Sequence, residues 1–180
     1  QMLFSADDGE NGRELWITDN TEGGTRMVKD INPGNNSSNP TGPMKEMGGF
    51  VYFAANDGVH GWELWKTDGT ESGTSIVKDI RTGENGSLSW GSTAHYHGEY
   101  TLTHGSHFYF SADDGESGTE LWRTDGTESG TELVVDVHQG ENGSWPWWFT
   151  SVEDKLYFTA WDGDQRQLWY YWDNPGPILS

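Results

Sequence analysis

A twelve-residue stretch that recurs along the chain constrains its fold more than any other feature. Glu63–Thr74 is Glu-Leu-Trp-Lys-Thr-Asp-Gly-Thr-Glu-Ser-Gly-Thr, and Glu120–Thr131 repeats it almost letter for letter. A looser copy covers Glu14–Thr25, and a degraded copy covers Gln167–Asp173. Regular recurrence of this kind is typical of proteins assembled from one supersecondary unit. The chain is therefore predicted to be a repeat protein.

Each repeat has the composition of a β-meander. A short aromatic segment precedes an Asp-Gly turn, the Glu-Leu-Trp segment, a second turn of the same kind and a third segment that ends in an acid. A weaker fourth segment follows a polar turn. β-Branched and aromatic residues between Gly-, Asn- and Asp-containing turns favour antiparallel strands, and no segment shows a helical period. The aromatic segments align on residues spaced by 49, 57 and 48 positions: Phe4, Phe53, Phe110 and Phe158.

Four such units predict an all-β fold, specifically a four-bladed β-propeller of four repeats of about 50 residues each. The chain would form one propeller domain, 1–180. Since the sequence begins at an aromatic segment, either Pro177–Ser180 supplies the missing strand and closes the ring between the termini, or the first blade lacks a strand. The expected units are 1–42, 43–91, 92–148 and 149–180.

Charge and composition narrow the classes of partner. The formal net charge is −19, which disfavours nucleic acid and anionic membrane surfaces and leaves room for cations. There is no cysteine, which excludes disulfides and thiolate metal sites. The sequence contains no run of 18 consecutive apolar residues, so membrane insertion is not expected. The first residue is Gln1, which suggests a processed, secreted or cell-surface protein.

The repeat resembles the ELWxxDGT repeat of secreted and surface proteins. Glu63–Thr70 and Glu120–Thr127 match that motif fully, Glu14–Thr21 departs at one position, and Gln167–Asp173 retains only part of it. The resemblance covers nearly the whole chain. It implies a propeller-like fold and a setting outside the cell, and it implies no particular activity.

The repeated residues are best explained as structural. Asp68 and Asp125 are expected to accept backbone N–H bonds across their turns, with glycine in the left-handed position. One tryptophan per copy is expected to pack between blades rather than to contact a ligand: Trp16, Trp65, Trp122 and Trp169.

The first Asp-Gly turn of each copy offers a second interpretation. Several oxygen ligands lie close together there, and Ca²⁺ prefers six to eight oxygens from short loops. A plain hairpin turn is the alternative. The candidate calcium ligands are Asp7, Asp8, Asp57, Asp113, Asp114, Asp162 and Asp164.

Places where the copies differ are better candidates for function. About eight extra residues near 91–106 contain His95 and His97, whose alternation on a strand would place both rings on one face as a metal pair or as ligand contacts. Trp145, Trp147 and Trp148 lie together in a polar loop, and Trp90 is a weaker counterpart in the preceding copy. Tryptophan is a common platform for the apolar face of a sugar ring, although these side chains would instead pack if they filled a blade interface.

The sequence thus predicts a secreted, lectin-like propeller that binds carbohydrate or glycoconjugates through its aromatic loops, with Ca²⁺ as a candidate cofactor. No nucleophile or phosphate-binding motif is present, so a non-enzymatic role is expected. Two alternatives stay open: a structural or adhesive surface module, and a propeller glycoside hydrolase that uses two of the many carboxylates. The sequence is also compatible with a homo-oligomer.

Overall fold

The structure is a computed structural model that describes residues 1–88 and 100–172. Within these ranges the chain forms strands and no helix, and the strands pair antiparallel, in chain order, into four sheets. The all-β prediction is confirmed. The sheets comprise β1 (Met2–Asp7), β2 (Arg13–Thr18) and β3 (Arg26–Lys29); β4 (Thr41–Met47), β5 (Phe50–Asn56), β6 (Trp62–Thr67) and β7 (Ser75–Ile76); β8 (Thr101–His104), β9 (His107–Asp113), β10 (Thr119–Thr124) and β11 (Glu132–Val135); and β12 (Trp147–Val152), β13 (Lys155–Trp161) and β14 (Arg166–Trp172).

Sheets one and four have three strands each among the described residues. Sheet one lacks the strand that corresponds to β4, β8 and β12, as predicted from the start of the sequence within a repeat. The segment predicted to supply it, Pro177–Ser180, lies outside the described residues. Sheet four has no described counterpart of β7 and β11.

The second turn of each repeat shows why its motif recurs. Asp68 Oδ1 accepts the Thr70 backbone N–H at 2.8 Å and the Thr70 hydroxyl at 2.6 Å, and Gly69 takes a φ of +88°. The Thr70 hydroxyl oxygen accepts the Gly73 N–H at 3.0 Å. Thr67 and Thr74 join the two strand ends through their hydroxyls at 2.7 Å. The same bonds recur at Asp125, so the predicted turn role of both aspartates is confirmed.

The glutamate of Glu-Leu-Trp is a buried latch, a role that the sequence did not predict. Glu63 has no solvent-exposed surface, and its carboxylate accepts the Ser87 N–H at 2.8 Å and the Ser87 hydroxyl at 2.5 Å. Glu14 holds Ser38 in the same way, and the Glu120 carboxylate accepts the Ser144 hydroxyl. Each latch therefore ties the second strand of a repeat to the polar turn that follows its third strand.

The sheets stack face to face. We call the side that packs on the preceding sheet the front face and the opposite side the back face. Phe53 and Trp65, on the front face of sheet two, pack against Leu15 and Ile17 on the back face of sheet one. The same arrangement joins sheets two and three, where Trp122 meets Leu64. The predicted packing of the repeated tryptophans is confirmed at Trp65 and Trp122, which are buried.

The first strands of the sheets contact one another along the stack, β4 with β8 and β8 with β12. Among residues 1–88 and 100–172, the stack has two uncovered ends, the front face of sheet one and the back face of sheet four. No helix in those ranges is long and apolar enough to cross a membrane.

Candidate functional site

The tryptophan cluster predicted from the sequence spans the end of the loop before β12 and the first two residues of that strand. The backbone N–H of Trp145 donates to Thr119 O, and that of Asn39 donates to Arg13 O, so the two positions correspond. The pairing of Trp147 with Thr159 and of Thr41 with Ala54 aligns the next positions. The first copy thus has Asn-Pro-Thr-Gly (39–42) where the third copy has Trp-Pro-Trp-Trp (145–148).

This substitution is unfavourable for the backbone. Trp145 has a φ of +46° and Trp148 a φ of +58°, in the left-handed region that bulky residues rarely adopt. Asn39, at the position of Trp145, has a φ of +48°, and Gly42, which follows Thr41 as Trp148 follows Trp147, has a φ of +103°. β4 contains one more residue than β12 before the pairing resumes, and Met44 in that stretch has a φ of +43°. Backbone strain of this kind costs about 1–3 kcal/mol and clusters at ligand-binding sites. Tryptophans at both positions therefore point to a role other than folding.

The exposure of the three rings differs. The side chains of Trp145 and Trp148 are 51% and 55% exposed, whereas Trp147 is half-buried. The Trp147 and Trp148 rings lie 6.1 Å apart, inclined at 58°. Trp145 and Trp148 therefore present apolar surface to solvent, and the Trp147 ring packs beside that of Trp148.

Three further residues, which the sequence analysis did not assign to the site, hold the cluster in place. The guanidinium of Arg166 lies 4.9 Å from the centre of the Trp147 ring, and its Nη1 donates to Trp145 O at 3.1 Å. Tyr100 lies 6.0 Å from Trp147 on another side. The Ser111 hydroxyl donates to Pro146 O at 2.5 Å, which fixes the loop to sheet three.

The resulting surface combines rigid aromatic area with a cation. Burial lowers the pKa of Arg166 from its ordinary value, and proximity to Tyr100 opposes that shift. Exposed aromatic rings beside hydrogen-bond donors suit a ligand with an apolar face and polar edges.

The other predicted ligand contacts, Trp90, His95 and His97, lie outside the described residues. Tyr100, which immediately follows that gap, contacts Trp147. Sequence reasoning missed Arg166 because no local signal pairs a strand residue with an aromatic ring 19 positions earlier.

The predicted calcium ligands are spread over the first turns of all four sheets rather than gathered at one site. Asp8 Oδ1 accepts the N–H groups of Glu10 and Asn11 at 2.9 and 2.8 Å, and Asp162 Oδ1 accepts those of Asp164 and Gln165. Asp57 and Asp114 do the same in their own turns. Each turn is therefore closed by its own backbone N–H groups.

The remaining candidate carboxylates also have bonds within the fold. Asp7 and Asp113 each accept the N–H of the turn glycine, Gly9 and Gly115, and Asp113 pairs with Arg81 at 2.6 Å. Asp164 contributes its backbone N–H to its turn. In the part of the chain that the structure describes, no group of three or more His, Asp or Glu residues could hold a metal ion. The calcium site stays a prediction.

The hydrogen bonds of these turns also affect titration. Donation from the Asn11 and then the Glu10 backbone N–H holds the pKa of Asp8 below its ordinary value of 3.8. Donation from Gln165 and then Asp164 does the same for Asp162. Both carboxylates are therefore ionised at neutral pH, with their oxygens directed at the loop.

A second concave surface lies between sheets two and three. Its volume is about 190 Å³, and its lining includes Phe50, Tyr52 and Asp125. Lys66 Nζ donates to Gly126 O across it at 2.7 Å and lies 5.0 Å from the centre of the Phe50 ring. The lysine thus joins the two sheets, and we interpret this concave surface as part of the interface between them.

Comparison of the chain with protein-family models, with curated proteins and with solved structures gave no match.

Proposed function

We propose that this protein binds carbohydrate through the surface formed by Trp145 and Trp148. One observation carries the proposal: two exposed tryptophans occupy left-handed backbone positions that the first copy fills with asparagine and glycine. The fold accepts residues there that adopt a positive φ with less strain, so contact with a ligand in solution explains the two rings. Stacking on the apolar face of a sugar is the contact that such rings make most readily with a polar ligand.

The surroundings of the two rings support a polar ligand. The Arg166 guanidinium is held against Trp147 and offers N–H donors to hydroxyl groups. The net charge of −19 disfavours polyanionic ligands, so neutral glycans fit better than sulfated ones. A location outside the cell belongs to the same proposal and is supported by the resemblance to ELWxxDGT repeats.

The architecture we propose is a propeller whose blades are the four sheets, with β4, β8 and β12 nearest its axis. The contacts between these strands support it. A four-bladed ring closed within one molecule would require the front face of sheet one to cover the back face of sheet four. Both faces are exposed among the described residues, so the four sheets form an open arc there.

The first experiment is binding to a glycan array with and without a chelator. Binding to a defined set of neutral glycans is expected, and its loss on chelation would support the calcium prediction. Absence of binding in both conditions would overturn the proposal and favour a structural or adhesive module. Turnover of chromogenic glycosides, abolished by one carboxylate substitution, would favour the hydrolase instead.

A further inference from the structure

The interface between neighbouring sheets is the same at each internal junction, which allows the two ends of the stack to be compared with it. The leucine of Glu-Leu-Trp lies on the back face, where the next sheet covers it. Its exposure is 0% at Leu15, 1% at Leu64 and 0% at Leu121, but 68% at Leu168. Leu168 is thus a core residue of the repeat without its covering sheet.

The neighbours of Leu168 extend this uncovered surface. Tyr170 and Trp172 are 63% and 42% exposed, and Val152 on β12 is 54% exposed. Met47, which corresponds to Val152, is buried under sheet three. Lys155 Nζ lies 5.4 Å from the centre of the Tyr170 ring. A contiguous apolar patch on one face of a sheet is typical of an interaction surface.

At the opposite end of the stack, the front face of sheet one lacks a covering sheet among the described residues. Met2, on the front face of sheet one, is 56% exposed, whereas its counterparts Phe108 and Leu156 are 0% and 1% exposed and Val51 is half-buried. Phe4 is half-buried, whereas Phe110 is fully buried. Sheet one therefore carries front-face residues with no sheet in front of them.

The glycines of the first turns independently show that no described sheet lies in front of sheet one. A Cβ built on Gly58 would lie 2.9 Å from the Asn32 side chain of the preceding sheet, and one on Gly163 would lie 3.0 Å from His138. Gly115 is approached by the preceding sheet in the same way. A Cβ on Gly9 would meet nothing within 4 Å. The place that a preceding sheet occupies at the other turns is open at sheet one.

We propose that the back face of sheet four binds the front face of sheet one of a second copy of this chain, head to tail. The interface would reproduce the junction that the chain already forms three times, with Leu168 beneath Phe4 and Trp16 as Leu121 lies beneath sheet four. Among residues 1–88 and 100–172 these two faces are exposed, so the proposal assigns a second molecule, rather than closure of the ring within one chain, to cover them. Such an interface is heterologous, and it either closes into a ring of copies or continues as a chain.

The test uses two reciprocal variants of the full chain. The wild type is expected to assemble in light scattering at up to about 100 µM, with a mass of at least twice the 20.1 kDa of the chain. Leu168→Arg and Met2→Arg each remove one half of the interface, so each variant alone is expected to be monomeric. Their mixture retains one intact pair of faces and is expected to give a one-to-one complex.

The control is Val59→Arg, which places the same side chain at a 62% exposed valine in a turn away from both end faces. It is expected to assemble like the wild type. Circular dichroism of each variant checks that it is folded, as substitution at an exposed position should permit. A monomeric wild type would overturn the proposal. So would a Met2→Arg variant that still assembles, because the contact would then not involve sheet one. The proposal does not depend on glycan binding.

Discussion

Glu63→Gln isolates the titration of one buried latch from the rest of the fold. The carboxylate has no exposed surface and is held by Ser87 and by the Arg81 N–H, the latter at 3.3 Å. Burial raises the pKa of Glu63 from its ordinary value of 4.5 to about 7, against the opposing effect of these hydrogen bonds. Glutamine keeps the size and an acceptor oxygen but cannot titrate.

The sign of the effect follows from proton linkage. Between pH 4.5 and about 7 the unfolded chain has released the Glu63 proton while the folded chain retains it. The free energy of unfolding therefore falls as pH rises through this window. Integrating the two pKa values from pH 5.0 to pH 7.5 gives a loss of about 2 kcal/mol that Glu63→Gln should not show.

Urea unfolding of both proteins at pH 5.0 and pH 7.5 measures this difference. Burial also raises the pKa of Glu14 and of Glu120, so both proteins should lose stability as pH rises, the wild type more steeply. Exposed Glu71→Gln is the control for the removal of one negative charge and should follow the wild type. Equal losses in the wild type and in Glu63→Gln would refute the assignment of the raised pKa to burial of the latch.

Three further predictions concern the turns and the site. Asp125→Ala removes two hydrogen bonds that the carboxylate accepts in its turn, and it should lower the free energy of unfolding in urea by about 1–2 kcal/mol. The control Asp154→Ala, at an exposed position, should lower it little. Equal losses in the two variants would contradict the turn role of Asp125. Hydrogen-bonded turn aspartates such as Asp8 have lowered pKa values, so the unfolded chain takes up their protons first and the melting temperature should fall as pH drops below 3.8. A melting temperature unchanged down to pH 2 would argue against a stabilising role for these hydrogen bonds. Trp148→Gly, which restores the residue type of the first copy, should leave the melting temperature the same or higher because it relieves the positive φ; a large decrease would show that this ring is core.

The sheets were predictable because the repeat presents the same local signals several times. Alternating aromatic residues specify strands, and Asp-Gly with a following threonine specifies the second turn, whose bonds are all local. The Glu63 latch was not predictable, since a glutamate on a strand resembles a solvent-facing residue. Its partner, Ser87, is 24 residues away and is recognisable only once the polar turn folds back.

The candidate site was predictable in part. A Trp-rich loop stood out against the repeat, and two of its rings are exposed. The left-handed backbone at Trp145 was not predictable, because tryptophan normally adopts a negative φ. Support from Arg166 depends on β13, which pairs with β12 on one side and with β14 on the other, and strand pairing of this kind is not visible in the local sequence.

The most direct test of the account is calorimetric titration of the best glycan from the array into the wild type and into a Trp145→Asn, Trp148→Gly double variant. The variant carries the residue types of the first copy, so it should remain folded with an unchanged or higher melting temperature. Its affinity should be at least about tenfold lower, because a lost aromatic contact costs about 1.4 kcal/mol or more. Equal affinities in the two proteins would contradict the assignment of carbohydrate binding to these tryptophans.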